Sequence, residues 1–258
     1  MENADQPQHV VITGGGSGIG LATAGLFAQR GAQVTILDRD PAAKQAAADI
    51  GAGFAALDVT DEVAVENVAA QLEAQSVAPS ILVTCAGTLQ RTLPPEKLGW
   101  PEWDKTISIH LRGTYACCKS FGTRMAARRG GSIVTIGSVA GILSGPLHAY
   151  GPAKAGISYL ASSLAAGWGP SGVRVNCVAP GFTETPALDK GLSGGALDSG
   201  PLAESAALGR LIASKEIAEV IHFLGSSAAS AVTGVTIPVD AGFLAASGWT
   251  AYGGLRRP

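Results

Sequence analysis

The sequence predicts an α/β fold: a doubly wound parallel sheet of about seven strands with helices on both faces. Three observations carry this expectation. Short apolar, β-branched runs alternate with alanine-rich helical stretches along the whole chain. The runs are apolar at nearly every position, as strands covered on both faces require. Glycine is in excess, 35 of 258 residues, without a collagen-like period, and 47% hydrophobic residues is too many for a disordered chain.

The strands are expected at His9–Thr13, Gln33–Asp38, Gly53–Asp58, Ser80–Cys85, Gly131–Gly137, Val173–Ala179 and Thr236–Asp240. Helical segments fall between them, near Gly18–Arg30, Pro41–Asp49, Asp61–Gln75, Glu102–Arg129, Tyr150–Trp168 and Ser214–Gly225. Repeated β-α-β order with right-handed crossovers gives the doubly wound sheet. No linker or composition break divides residues 1–258, so one domain is expected, long enough to bury a core without disulfides or metals. Pro186–Glu204 breaks the rhythm: it is rich in Gly, Ser and Ala and follows the sixth strand. It reads as a long irregular loop, either a tolerated surface insertion or a substrate lid. Its place at the carboxyl end of a strand favours the lid.

Charge excludes some partners. With 18 basic and 20 acidic residues the net charge is −2, and the basic pair Arg256-Arg257 is too short for a nucleic-acid patch. The N-terminus shows no charged-then-apolar leader, and no run of about 18 apolar residues predicts a membrane span. Cys85, Cys117, Cys118 and Cys177 lie in apolar runs without zinc or redox spacing, as small buried hydrophobes do. No histidine pair points to a metal. The expectation is a soluble protein of a reducing, cytoplasmic compartment.

The first strand runs into TGGGSGIG, Thr13 to Gly20, and then into a helix. Gly14, Gly18 and Gly20 permit a tight turn and close approach to a pyrophosphate, which the helix N-terminus at Ser17, Gly18 and Ile19 attracts. Asp38 ends the second strand, twenty residues after Gly18, where a carboxylate can accept from the adenosine ribose hydroxyls. It would repel the 2′-phosphate of NADP, and Ser17, not a basic residue, precedes Gly18. NAD is therefore the expected cofactor, although Arg39 could swing towards a phosphate and Asp38 could serve only as a helix-capping acid.

These residues resemble the short-chain dehydrogenase/reductase family, and the likeness covers nearly the whole chain. TGGGSGIG fits its TGxxxGxG signature, Ser138 in IGSVAG its catalytic serine, and Tyr150-Gly-Pro-Ala-Lys154 its YxxxK motif. NCVAPG at 176–181 and the late VTGVTIPVDAGF are further landmarks. The resemblance implies a Rossmann-like fold and a homotetramer. It also implies cofactor contacts from Asp58 and Val59 to adenine, from Ala86 and Gly87 beyond the pyrophosphate, and from Pro180, Gly181, Thr183 and Thr185 near the carboxamide. Cys85 stands where the family has asparagine in Asn-Ala-Gly. His110, in Ile-His-Leu, replaces the fourth catalytic member, an asparagine that fixes a water linking the lysine to solvent.

The chemistry also follows from the residues. Tyr150 and Lys154, four apart, share a helix face, and a nearby ammonium favours the phenolate. Tyr150 can then take a proton from an alcohol or return one to a carbonyl. Ser138 can hydrogen-bond the substrate oxygen, and Lys154 can hold the nicotinamide ribose. These features predict an NAD-dependent alcohol dehydrogenase or carbonyl reductase acting on a small alcohol or ketone. Two rivals are an epimerase or dehydratase using transient oxidation with retained NAD, and a catalytically weak NAD-binding scaffold. Histidine at 110 can also hold a water and is expected to titrate near about 6.5, leaving an inflection on the pH–rate profile.

Overall fold

The computed structural model describes residues 8–193 and 198–255. Arg256-Arg257 and residues 194–197 of the expected lid lie outside the described residues. The first half runs β1 His9–Thr13, α1 Gly18–Gln29, β2 Gln33–Asp38, α2 Ala43–Asp49, β3 Gly53–Ala56, α3 Glu62–Glu73 and β4 Ile81–Thr84. Then come α4 Trp100–Ile107, α5 Gly113–Ala127, β5 Gly131–Ile136, α6 Tyr150–Trp168 and β6 Val173–Pro180. The last part holds β7 Thr183–Glu184, α7 Pro186–Ser193, α8 Ser199–Glu204, β8 Ile212–Ala213, α9 Ser214–Gly225, β9 Thr236–Val239 and α10 Phe243–Ala246.

Seven strands form one sheet in the order β3-β2-β1-β4-β5-β6-β9, every pair parallel. Because side chains alternate along a strand, each strand feeds two cores. Val11, Leu37, Leu82, Ile133 and Val175 pack with α3, α5 and α6 through Val65, Phe121 and Ile157. Val10, Ile12, Ile36, Val83 and Val134 pack on the other face with α1 and α9 through Phe27, Ile217 and Ile221. The strand order reverses between β1 and β4, so a crevice opens there at the carboxyl ends of the strands. Thr13 pairs with Thr84, so the turns leaving β1 and β4 lie level with each other.

The sequence reading needs two corrections. The helix expected over Glu102–Arg129 begins at Trp100 and is not continuous: a π-helical turn, Ser108–Arg112, separates α4 from α5. Such turns add a residue to the helical circuit and re-aim its side chains; here the turn carries His110. The long irregular loop expected at Pro186–Glu204 contains α7 and α8, and the short parallel pair β7–β8 brackets it. Its Gly and Ser content hid the helical pieces. All four cysteines are free thiols, three of them buried. Among the described residues no helix is long and apolar enough to cross a membrane.

Candidate active site

The turn after β1 closes tightly. Gly14 sits at φ +63° and its N–H donates to the Leu37 carbonyl at 2.8 Å. A Cβ on Gly14 would lie 2.6 Å from Ala86 Cα, and one on Gly20 would collide with the Gly14 carbonyl oxygen. The turn therefore presses onto the end of β4, where the Ala86 N–H donates to Thr13 Oγ1 at 3.3 Å. Ser17 makes no side-chain cap bond, so it leaves the first N–H groups of α1, at Gly18 and Ile19, facing the crevice end of the sheet. Thr185 closes over the same turn, 3.2 Å from where a Gly18 Cβ would stand.

Asp38 ends β2 beside this turn. Its Oδ2 accepts from the Gly16 N–H and its Oδ1 from the Asp40 N–H, both at 3.0 Å. Asp58 and Val59 follow β3 and diverge. The Asp58 carboxylate is exposed and turns back on Thr60, whose amide and hydroxyl hold it below the usual carboxylate range. Val59 is buried beneath Gly113. Pro180 ends β6, the Gly181 N–H donates to the Val239 carbonyl at 3.0 Å, and Thr183 Oγ1 donates to the Gly181 carbonyl at 3.0 Å. Thr185 Oγ1 accepts from the Leu188 N–H at 3.1 Å, opening α7. A glycine-rich turn at a helix N-terminus, with a carboxylate at the next strand end, fits a dinucleotide.

Ser138 follows β5 and is buried. Its Oγ accepts from the Ala140 N–H at 3.1 Å, which leaves the hydroxyl hydrogen free to donate elsewhere. Tyr150 opens α6, with Lys154 one turn on. Lys154 Nζ stands 5.4 Å from the Tyr150 ring centroid and donates to the Ile136 carbonyl at 2.7 Å. That bond ties α6 to the carboxyl end of β5, two residues before Ser138. Lys154 is only 5% exposed, and two of its three donors remain uncommitted among the described residues.

His110 packs edge-on against Tyr150, with ring centroids 5.0 Å apart and an interplanar angle of 87°. Its Nε2 lies 2.8 Å from the Thr88 carbonyl oxygen and 3.2 Å from the Thr88 nitrogen. Nε2 thus meets both backbone groups of Thr88: the contact to the carbonyl calls for a proton on Nε2, the contact from the N–H for a lone pair there. Nδ1 is buried and has no hydrogen-bond partner among the described residues. Burial, reinforced by the Lys154 charge, pushes the imidazole down to about 3. This corrects the expectation of a group near 6.5: His110 is neutral at working pH and leaves no inflection there. Gly87 is the glycine that makes room for it, since a Cβ would lie 2.7 Å from His110 Cε1. Burial likewise pushes the Cys85 thiol up to about 12, so it is no thiolate.

Gln90 belongs to the same surroundings and escaped the sequence reading. Its side-chain oxygen accepts from the Ala149 and Tyr150 N–H groups at 2.9 and 2.7 Å. A single glutamine in a polar connection carries no local signal of such a contact. Ile142 and Leu143, after the Ser138 turn, are exposed apolar side chains.

Comparison with known proteins agrees with this geometry. Residues 14–244 match the family model described as enoyl-(acyl carrier protein) reductase. The chain is 39% identical to cis-4-hydroxycyclohexanecarboxylate dehydrogenase of Sinomonas cyclohexanicum, over 95% of this chain and 100% of that protein. It is 35% identical to galactitol 2-dehydrogenase of Rhizobium johnstonii, over 92% and 95%. A solved structure titled ribose-5-phosphate isomerase, from Brucella melitensis 16M, superposes with a TM-score of 0.95 at 54% identity, covering 97% of this chain and 98% of that one. With its motifs, sheet order and relatives in agreement, the chain belongs to the short-chain dehydrogenase/reductase family.

Proposed function

We propose that this chain is an NAD(H)-dependent oxidoreductase interconverting a secondary alcohol and a ketone. Its family works with a nicotinamide cofactor, and its relatives include polyol and alcohol dehydrogenases. The observation that carries the proposal is Lys154 standing over the Tyr150 ring while bonded to the Ile136 carbonyl, two residues before Ser138 at the carboxyl end of β5. The turn at Gly14, Ser17, Gly18, Ile19 and Gly20 would hold the pyrophosphate and Asp38 the adenosine ribose. Asp58 and Val59 would flank the adenine. Ala86, Gly87, Pro180, Gly181, Thr183 and Thr185 would line the nicotinamide half. When bound, the nicotinamide supplies the acceptor, or in reverse the donor, of a hydride at the substrate's carbinol carbon.

The chain's own groups do the rest. Ser138 donates its free hydroxyl hydrogen to the substrate oxygen. Tyr150 takes the hydroxyl proton during oxidation and returns it during reduction. Lys154 stabilises the phenolate that accepts the proton in oxidation and that remains once the proton is given up in reduction, and grips the nicotinamide ribose with its remaining donors. The helices α7 and α8 act as the lid. With Ile142, Leu143, Leu147 and Leu188 they give an apolar wall suited to a hydrocarbon-bearing alcohol. Following NADH absorbance over a panel of secondary alcohols tests this. Accumulation of NADH supports the reading, and its absence with every alcohol contradicts it.

The isomerase title of the 54%-identical structure favours one second reading, a sugar conversion without net redox and with retained NAD. It predicts turnover of ribose 5-phosphate with no released NADH, and the same assay separates the two. We also propose a cytoplasmic homotetramer in which α5 and α6 pack across two-fold axes. A monomer by light scattering at micromolar concentration would contradict it.

We place His110 as a neutral hydrogen-bonding group whose free Nδ1 holds a water serving Lys154. His110→Asn should keep most activity, His110→Ala should slow turnover, and neither should remove an acidic inflection above pH 5. Stability gives a second readout. The folded state keeps His110 neutral to about pH 3, whereas the unfolded chain protonates it below about 6.5. Its contribution is therefore complete above the unfolded value and is lost as pH falls from there, by about 2 kcal/mol at pH 5. Denaturant melts at pH 7 and pH 5 should show a smaller loss for His110→Asn than for the parent. Equal losses would contradict the neutral assignment.

A further inference from the structure

The α6 helix starts at Tyr150, and its own sequence provides no cap. Ala149, at the N-cap, has no polar side chain, and no acidic residue occupies the first turn. Every helix begins with N–H groups that lack intrahelical partners, and buried ones must be satisfied elsewhere. Here the account is complete. The Gly151 N–H donates to the Leu147 carbonyl at 2.8 Å, Pro152 has no N–H, and the Ala153 N–H donates to the Ala149 carbonyl at 3.1 Å. The two remaining groups, on Ala149 and on Tyr150 itself, both converge on Gln90. Two donors facing one atom fix that atom as the amide oxygen. Gln90 is only 7% exposed, so water does not substitute for it.

Gln90 is itself held. It lies in the connection from β4 to α4, whose backbone is pinned on either side of it. Thr88 is bonded to His110 Nε2. The Arg91 N–H donates to Glu102 Oε1 at 2.9 Å, and the Arg91 guanidinium grips Glu102 Oε2 with Nε at 2.9 Å and a second nitrogen at 2.6 Å. Gln90 Nε2 closes the arrangement on the Arg91 carbonyl at 3.2 Å. Tyr150 is thus gripped twice from one strap: through its backbone by Gln90, and against its ring by His110, which holds Thr88.

We propose that Gln90 is a positioning residue for Tyr150, its amide oxygen fixing the start of α6 and so the place of the phenol oxygen. The inference rests on the reading of Tyr150 as the proton-transfer group. A bond to the Tyr150 backbone sets where its side chain begins, and proton transfer needs heavy-atom reach to within tenths of an ångström. The glycine turn and Asp38, which would hold the pyrophosphate and the adenosine ribose, lie on other elements, so the larger effect belongs to turnover.

The test compares Gln90→Met, which keeps length and removes the acceptor, with Gln90→Glu, which keeps an acceptor of the same reach. Alcohol oxidation is followed for each at its own pH optimum, and amide exchange at residues 148–151 is measured with NADH bound. Gln90→Met should lose at least about tenfold in kcat, the scale of a sub-ångström misplacement, with KM for NAD+ unchanged within about twofold. Exchange at Ala149 and Tyr150 should quicken. Gln90→Glu keeps the acceptor for Ala149 and Tyr150 but loses the donor to the Arg91 carbonyl, so it should recover a clear part of kcat over Gln90→Met and slow the exchange again, a negative group being favoured at a helix N-terminus. Should Gln90→Met fail to fold, Gln90→Asn, which withdraws the acceptor by one methylene, carries the same expectation.

Parent-like kcat in Gln90→Met, an equal loss in Gln90→Glu, or a loss that appears in KM for NAD+ overturns the proposal. Tyr150→Phe separates this from the functional reading. If it abolishes turnover while Gln90→Met does not, the enzyme assignment stands and the positioning role falls. If Tyr150→Phe stays active, the functional reading falls, and unchanged exchange in Gln90→Met would show that the clamp is absent too.

Discussion

Tyr150→Phe is expected to lower turnover at least about a hundredfold, the low end for loss of a general acid/base, while NADH affinity stays within about twofold. The substitution isolates one atom. The ring that packs edge-on against His110 remains, and among the described residues no group hydrogen-bonds the Tyr150 hydroxyl. Its removal therefore leaves no partner unsatisfied in the cofactor-free protein, and the melting temperature should stay near the parent's. Lys154 remains bonded to the Ile136 carbonyl, so the place proposed for it beside the nicotinamide ribose is kept. Steady-state rates with fluorescence titration of NADH check this. Near-parent turnover would require another proton acceptor, and His110, kept neutral by burial with Nδ1 free, would be the group to substitute next.

The second large effect is on cofactor choice. The parent should use NAD+ over NADP+ by at least about tenfold in kcat/KM, or about 1.4 kcal/mol, and Asp38→Ala should close most of that gap. In the proposed role the carboxylate accepts from ribose hydroxyls and repels a 2′-phosphate, so its loss should weaken NAD+ and relieve NADP+. It also holds the Gly16 and Asp40 N–H groups. Asp38→Asn separates these effects, because an amide can still accept from Gly16 without carrying charge. Arg39 is exposed alongside, close enough to Asp58 to help hold that carboxyl ionised, and is the cation a 2′-phosphate would meet. Equal use of the two cofactors by the parent would contradict the role of Asp38.

Strands buried on both faces are legible because every position is constrained: Val10, Val11 and Ile12 each face packed helices, so the run is apolar without a break. The glycine turn is legible for a related reason, since Gly14 and Gly20 occupy places where a Cβ meets backbone. Where contacts come from afar, the sequence is silent. Nothing in Ser108–Arg112 marks a π-helical turn, as it contains neither proline nor glycine. The polarity of His110 pointed to titration, but its environment comes from Thr88, Gly87 and Lys154 on two other elements. Gln90 and Tyr150 are 60 residues apart, and no periodicity links a loop amide to a helix start. In 186–204, glycine and serine masked α7 and α8, short helices that lie between β7 and β8 in the chain.

The central claim is net hydride transfer between a secondary alcohol and nicotinamide, with release of the reduced cofactor. Its most direct measurement is absorbance at the NADH band with NAD+ and a panel of cyclic secondary alcohols and polyols, with the ketone quantified in the same samples. The account predicts that NADH and ketone accumulate one for one over many turnovers, and that Tyr150→Phe abolishes both. Conversion of a sugar phosphate with no NADH released, or NADH binding without oxidation of any alcohol in the panel, would contradict it.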